Sequence, residues 1–213
     1  MVTQKSMHQL SIEESMRQIV EAEARALHAI PYSDAYDKAV GLILEHVHRR
    51  GGKLVASGMG KAGQIALNIA TKFSSTGTPA VSLHPSEAQH GDIGVLQPDD
   101  ILLLVSNSGS TREVIELVTL ARRLYPAIPV IAVTGRAESE LTRVADVTLL
   151  TGGAEEVCPL GLTPTTSTTV MSVIGDVLVV NVTRRTSFTA EDYAKRHHGG
   201  FLGFKSRNEA DNI

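Results

Sequence analysis

At 213 residues, 42% hydrophobic and 20% charged, the chain is long enough for one globular domain with a sizeable core. Its formal net charge of −3, with no long basic run, disfavours a nucleic-acid partner, which is gripped by Lys and Arg neutralising phosphates. The single cysteine, Cys158, excludes an internal disulfide and suits a reducing compartment.

The N-terminus, MVTQKSMHQLSIEES, is polar and lacks the basic-then-apolar order of a secretory leader, so a cytoplasmic protein is expected. Leu10, Met16, Ile19, Val20, Leu27 and Ile30 recur at three- and four-residue steps, which predicts a helix up to Pro31. Ser11 followed by Glu14 is a capping-box pattern at its start. A second helix is expected over 34–50, ending near Gly51-Gly52. Then the texture changes. KLVAS (53–57), PAVSL (79–83), ILLLVS (101–106), PVIAVT (129–134) and DVTLL (146–150) read as strands. Helices are expected over 61–74, 110–124, 138–145 and 165–184. The strands are short, continuous and rich in Val, Leu and Ile, as parallel strands covered on both faces are.

The fold class expected is therefore α/β: a doubly wound, flavodoxin-like, five-stranded parallel sheet flanked by helices. No linker, repeat or low-complexity stretch calls for a second domain. One domain over 1–213 is expected, with a helical segment at 10–50, an α/β core at 53–185 and a C-terminal segment at 186–213. The longest apolar stretch, VMSVIGDVLVVNV (170–182), carries Asp176 and Asn181 and is short for a bilayer span, so no membrane association is expected. The tail after Gly203 is polar and expected to fray.

In doubly wound sheets, ligands bind beyond the carboxyl ends of the strands. After the third strand stands SNSGST: Ser106, Asn107, Ser108, Gly109, Ser110 and Thr111. The first turn of a helix leaves N–H groups unpaired and carries partial positive charge. An anion gains hydrogen bonds there. Gly109 admits a close backbone approach, and four hydroxyls can donate to one tetrahedral group. The loop reads as an uncharged phosphate cradle. The competing reading is a helix N-cap, but one cap needs one hydroxyl. The GxxxxGK[ST] spacing of a P-loop is missing.

After the first strand, SGMGKAG (57–63) spells GxGxxG with Gly58, Gly60 and Gly63. The dinucleotide signature also wants an acidic residue at the end of the second strand, and His84 stands there instead. Lys61, beside a helix start, can pair with phosphate or with charge developing on a sugar oxygen. Its bland alternative is a solvated surface lysine. Glu113 lies on the first turn after the cradle, where a glutamate is also a routine dipole partner. Glu156 follows the fifth strand, ahead of VCPLGLTPTTSTT; the ordinary fate of such a loop glutamate is solvent. His84, His90, His197 and His198 can transfer protons near neutrality. No metal-motif spacing such as HExxH occurs, and no G-x-S-x-G elbow holds a serine nucleophile.

Taken together, SGMGKAG, FSSTGTPAVSLHPSEAQHGDIG, SNSGSTRE, VIAVTGR, EVCPLGLTPTTSTT and FTAEDYAKRHHGG resemble the sugar isomerase (SIS) domain family over residues 10–205. CPLGLTPTTSTT and HGDIG narrow the likeness to the D-arabinose 5-phosphate isomerases. The resemblance implies interconversion of D-arabinose 5-phosphate and D-ribulose 5-phosphate through a cis-enediol, at the entry to 3-deoxy-D-manno-octulosonate (Kdo) for lipopolysaccharide or capsule. It places the catalytic lysine on Lys61, two glutamates on Glu113 and Glu156, and a histidine on His197. His90 matches a further active-site histidine. Ser57 and Gly58 join the cradle residues 106–111 as the substrate-binding set. The resemblance also implies a homotetramer with sites between subunits, no metal or other cofactor, and inhibition by zinc. Departures from the family pattern are Ser110, where SNSGE is common, and His198, where HPGG is common. The chain is similar to the single-domain members rather than to those with a following pair of CBS domains. A non-catalytic sugar-phosphate sensor, or an isomerase of another phosphosugar, stands as the alternative.

Overall fold

The computed structural model describes residues 10–210. Residues 1–9 of the polar leader, and positions 211–213 of the expected single domain and its tail, lie outside the described residues. Helix α1 (Ile12–His28) begins where the spacing predicts. Ser11 accepts a hydrogen bond from the Glu14 N–H at 3.1 Å, half of the expected capping box. Helix α2 (Ala35–Ile43) runs into a π-helical turn, Leu44–Arg49.

The strands are β1 (Leu54–Gly58), β2 (Ala80–Ser82), β3 (Ile101–Val105), β4 (Val130–Thr134) and β5 (Val147–Leu150). They form one parallel sheet in the order β2-β1-β3-β4-β5, the doubly wound arrangement expected. Helix α3 (Gly60–Ser75) follows β1. A short α4 (Pro85–Ala88) and a 3₁₀ turn (Asp92–Val95) precede β3. Helices α5 (Arg112–Leu124) and α6 (Glu140–Val144) precede β4 and β5; α7 (Thr166–Arg185), α8 (Ala190–Arg196) and α9 (Gly200–Ala210) complete the chain.

Every residue of β1, β3 and β4 is buried. Alternate side chains enter opposite layers, as strand geometry requires. Leu54, Ala56, Ile101 and Leu103 pack with Phe73 of α3 and Ile174 of α7. Val55, Leu102 and Leu104 pack with Val114 and Leu117 of α5. Helix α7 is long and apolar enough, by length and composition, to cross a membrane. In this fold it packs on α1, α2 and α3 and buries Val170, Met171, Ile174, Leu178 and Val182. The apolar spacing of α1 marks a helix but not a core face, since Met16 is 58% and Val20 61% exposed.

The C-terminal segment differs from expectation. Thr189 and Asp192 form a reciprocal capping box that starts α8, and the expected fraying tail continues as α9 through Ala210. Ser206 is buried on it and donates to the Gly203 carbonyl at 3.1 Å.

The amino ends of β1 and β3 are tied by one carboxylate. Asp100 is fully buried and accepts from the Lys53 ammonium at 2.6 Å, the Lys53 N–H at 2.8 Å and the Gln97 N–H at 2.8 Å. Removing it orphans the Lys53 donors at the start of β1 and the Gln97 N–H in the turn before β3. Asp100→Ala is expected to lower stability by about 3 kcal/mol, read as a lower urea midpoint at unchanged slope; an unchanged midpoint would refute the tie.

Candidate functional site

Three strand-to-helix passages meet at the carboxyl edge of the sheet. Because β1 and β3 are adjacent and in register, Gly58 pairs with Val105. The turns that leave these two strands therefore stand side by side. A Cβ at Gly58 would lie 2.7 Å from the Val105 carbonyl oxygen, so this approach needs glycine. Ser57 is buried and donates to the Leu83 carbonyl at 2.6 Å, fixing β1 against the end of β2. Its hydroxyl hydrogen is thereby committed to the frame.

The turn after β3 is held from behind. The Asn107 carbonyl accepts from the Gly135 N–H at 3.0 Å, and the Gly109 carbonyl accepts from the Leu141 N–H at 2.9 Å. Gly109 has φ +64 and lies against Ser139 and Thr134, so neither its conformation nor its surroundings admit a side chain. Buried Ser106 and Thr111 share a hydroxyl–hydroxyl bond of 2.8 Å. The Ser108 hydroxyl accepts weakly from the Ser110 N–H at 3.3 Å. Thr111 is the N-cap residue of α5, yet its side chain makes no capping bond. The N-cap alternative therefore does not account for these hydroxyls. Among the described residues, the N–H groups of Ser108 and Thr111 have no internal acceptor.

These turns line a cleft of about 350 Å³ with Met59, Lys61, Ala62, Ser106, Asn107, Ser108, Thr111, Arg136, Pro164, Ser167, Thr168 and Met171 around it. Helices α3, α5 and α7 all present their N-terminal ends to it. Each such end carries partial positive charge. Lys61 and Arg136 add two full charges, and no carboxylate lines the wall, in a chain of net charge −3. The arrangement is electrostatically suited to an anion. A cavity of similar size, about 360 Å³, lies among α1, α2 and α7, away from the strand ends.

Glu156 is attached to the start of α7. Its Oε2 accepts from the Thr165 N–H at 2.7 Å, the Thr165 hydroxyl at 3.0 Å and the Ser167 N–H at 3.2 Å. Thr165 is the N-cap residue but offers no side-chain cap, so this carboxylate supplies it from outside the helix. Partial burial pushes the Glu156 carboxyl up, but the hydrogen bonds from Ser167 and Thr165 outweigh it and hold the group below its ordinary value. Its ionised form therefore persists as pH falls into the ordinary carboxylate range. The second oxygen receives none of these bonds. Glu113, half-buried on the first turn of α5, has no ion pair or side-chain hydrogen bond among the described residues. Neither glutamate lines the cleft wall itself. His90 is exposed beyond α4 and also stands outside the lining.

His197 is at the other end of the molecule. It caps α8, whose Tyr193 shares a cavity with Thr76 beyond α3 and with Thr183 near the end of α7. The run of α3 from Lys61 to Thr76 puts roughly 22 Å between that end and Lys61. Within one chain the expected imidazole does not join the expected lysine.

Arg136, Ser167 and Thr168 are cleft residues that sequence reasoning did not single out. The position of Arg136, just past the β4 carboxyl end in VTGR, is the signal that could have found it.

Comparisons with known proteins agree with this geometry. The SIS domain model matches residues 47–181. Arabinose 5-phosphate isomerase KdsD of Shigella flexneri is 49% identical over 154 residues, which are 72% of this chain and 46% of that protein. The match thus spans about half the length of such curated relatives. A candidate phosphosugar isomerase involved in capsule formation, from Bacteroides fragilis, superposes with TM-score 0.88 at 60% identity over 89% of this chain and 99% of that one. An Escherichia coli protein solved in complex with arabinose 5-phosphate superposes with TM-score 0.77 at 32% identity, over 85% of this chain and 95% of that one. With more than half of its length matched by the family model, and with the five-stranded parallel sheet in place, the chain belongs to the SIS domain family.

Proposed function

We propose that this chain is an aldose–ketose isomerase interconverting D-arabinose 5-phosphate and D-ribulose 5-phosphate. The observation that carries the reading is the cleft wall, where three helix N-termini and two cations converge with no carboxylate. The relatives named arabinose 5-phosphate isomerase, and the arabinose 5-phosphate complex of a similar fold, support the choice of sugar. The capsule role printed for the Bacteroides fragilis relative supports a place at the entry to Kdo synthesis, for lipopolysaccharide or capsule.

The phosphate sits on Ser106–Thr111, with its charge met by α5 and by Arg136. This anchor fixes C1 and C2 near Lys61, on the neighbouring turn. In the aldose, a glutamate takes the proton from C2. The C–H electron pair forms the C1=C2 bond, and the former carbonyl pair moves onto O1. The Lys61 ammonium stabilises that enediolate oxygen. Returning the proton to C1, while the O2 hydroxyl loses its own, gives the ketose. Glu156 is the preferred carbon base, since its second oxygen is uncommitted and its ionised form is secured; Glu113 assists. His197 moves protons between O1 and O2. No step calls for a metal or an organic cofactor.

His197 reaches the cleft only from another copy, so the reading includes an assembly, the homotetramer of the family, with sites between subunits. Exposed apolar surface supports self-association: Ile12 85%, Met16 58% and Val20 61% on α1, and Phe201 75% and Phe204 60% on α9. The same reading places the protein in the cytoplasm.

The direct test is incubation of the purified protein with arabinose 5-phosphate and, separately, with hexose and hexulose phosphates, following aldose–ketose conversion. Ribulose 5-phosphate should form; conversion of only a hexose or hexulose phosphate would transfer the chain to another isomerase, and no conversion would make it a sensor. Glu156→Gln should lower kcat by about 10²–10⁴-fold, while 5-phospho-D-arabinonate still binds in calorimetry. Turnover near the wild-type rate removes Glu156 from the base role. Arg136→Gln should raise KM about tenfold or more, with kcat nearly unchanged; an unaltered KM assigns the phosphate charge elsewhere.

A further inference from the structure

His197 is held more firmly than a surface histidine needs to be. Its ring lies on the Tyr193 ring one helical turn earlier, at 3.7 Å between centroids and 5° between planes. Its Nδ1 lies 3.0 Å from the Tyr193 carbonyl oxygen. A carbonyl oxygen only accepts, so Nδ1 carries the hydrogen, and in the neutral ring Nε2 then presents the lone pair. Among the described residues, Nε2 has no hydrogen-bond partner. The backbone is clamped as well. The Arg207 guanidinium donates to the His198 carbonyl at 3.2 Å and reaches the His197 carbonyl at 3.5 Å. Gly203 of α9 lies so close to the His197 carbonyl that a side chain there would collide with it. The stack itself has a support: Phe188 meets Tyr193 edge-on at 6.5 Å, lies against Gly77 and carries the Arg196 guanidinium over its face at 5.2 Å.

We propose that Tyr193 is a positioning residue for the proton shuttle: its ring sets the plane of His197 and its carbonyl selects the Nδ1–H tautomer, so that Nε2 is delivered as the proton acceptor. This rests on the isomerase reading of His197 given above. The chemistry explains why the geometry is useful. Moving a proton between O1 and O2 of an enediol asks one nitrogen to face both oxygens in turn, and misplacement by about 1 Å can cost about 10²-fold in rate. A histidine free to rotate about its side-chain bonds would present either nitrogen. The stack removes that freedom before the substrate arrives. The phenol hydroxyl has no part in this arrangement, so an aromatic ring alone should suffice.

Three variants and one spectrum test the proposal. In ¹⁵N NMR of the wild-type protein above the titration range of histidine, His197 should show protonated Nδ1 and unprotonated Nε2; the opposite tautomer would overturn the proposal without any mutation. Tyr193→Phe should keep kcat within about twofold and keep that spectrum. Tyr193→Leu should lower kcat by about 10–10²-fold at nearly unchanged KM, with the His197 side chain sampling more than one rotamer in NMR, in protein whose thermal unfolding matches wild type. If Tyr193→Leu turns over normally while His197→Gln does not, the positioning role is wrong and the isomerase reading stands. If Tyr193→Phe falls as far as Tyr193→Leu, the hydroxyl acts and the stack does not. If His197→Gln is itself fully active, the shuttle role fails and the positioning role with it.

Discussion

The contact on which the site depends is the register pairing of Gly58 with Val105. Parallel strands that are neighbours in the sheet but not in the chain send their following helices to opposite faces, so a crevice opens between the two turns. Here those turns are Met59–Lys61 and Ser106–Thr111. One supplies a cation and the other supplies hydroxyls and free N–H groups. Asp100 performs the complementary task at the amino edge, where it joins Lys53 and Gln97. Register at one edge thus fixes spacing at the other, because a one-residue slip would turn Ser57 and Ser106 to the wrong face.

The electrostatics divide along the cleft. Its wall is positive without a buried cation, since helix ends and backbone donors supply much of the field. The carboxylates stand just outside that wall. Glu156 shows how this is arranged: one oxygen closes the N-terminus of α7, and that attachment also secures the ionised form of the group. The carboxylate is thus a cap that stays ionised, and under the proposed isomerase reading the same hydrogen bonds would serve its role as base. Tyr193 and His197 repeat the pattern at the far end of the molecule, where ordinary helix packing orients an imidazole.

Much of this was legible in the sequence. Continuous runs such as ILLLV and VIAVT announced buried parallel strands, and the boundaries of α3, α5 and α7 fell within two residues of expectation. The loop of residues 106–111 stood out because hydroxyls in that number exceed what a cap can use, and the structure sets it at the cleft. Helix α8 had one local signal, the Thr189–Asp192 capping-box spacing, which sequence reasoning did not use. Other features carry none: α9 packs on α8 with Ser206 buried, while the composition after Gly203 reads as a polar tail. Arg136 reads as an ordinary loop arginine until β4 is placed beside β3. The remoteness of His197 from Lys61 within one chain is a property of topology, which residue spacing does not encode.

The central claim is that an uncharged cradle at a strand-to-helix junction grips the phosphoryl end of a pentose and leaves its carbonyl end beside Lys61. A crystal structure of the assembled protein with 5-phospho-D-arabinonate measures this directly. The account predicts phosphate oxygens within hydrogen-bond distance of Ser106, Ser108 and Thr111, with C1 and C2 facing Lys61. Phosphate bound elsewhere, or a sugar chain directed away from Lys61 and both glutamates, would contradict it.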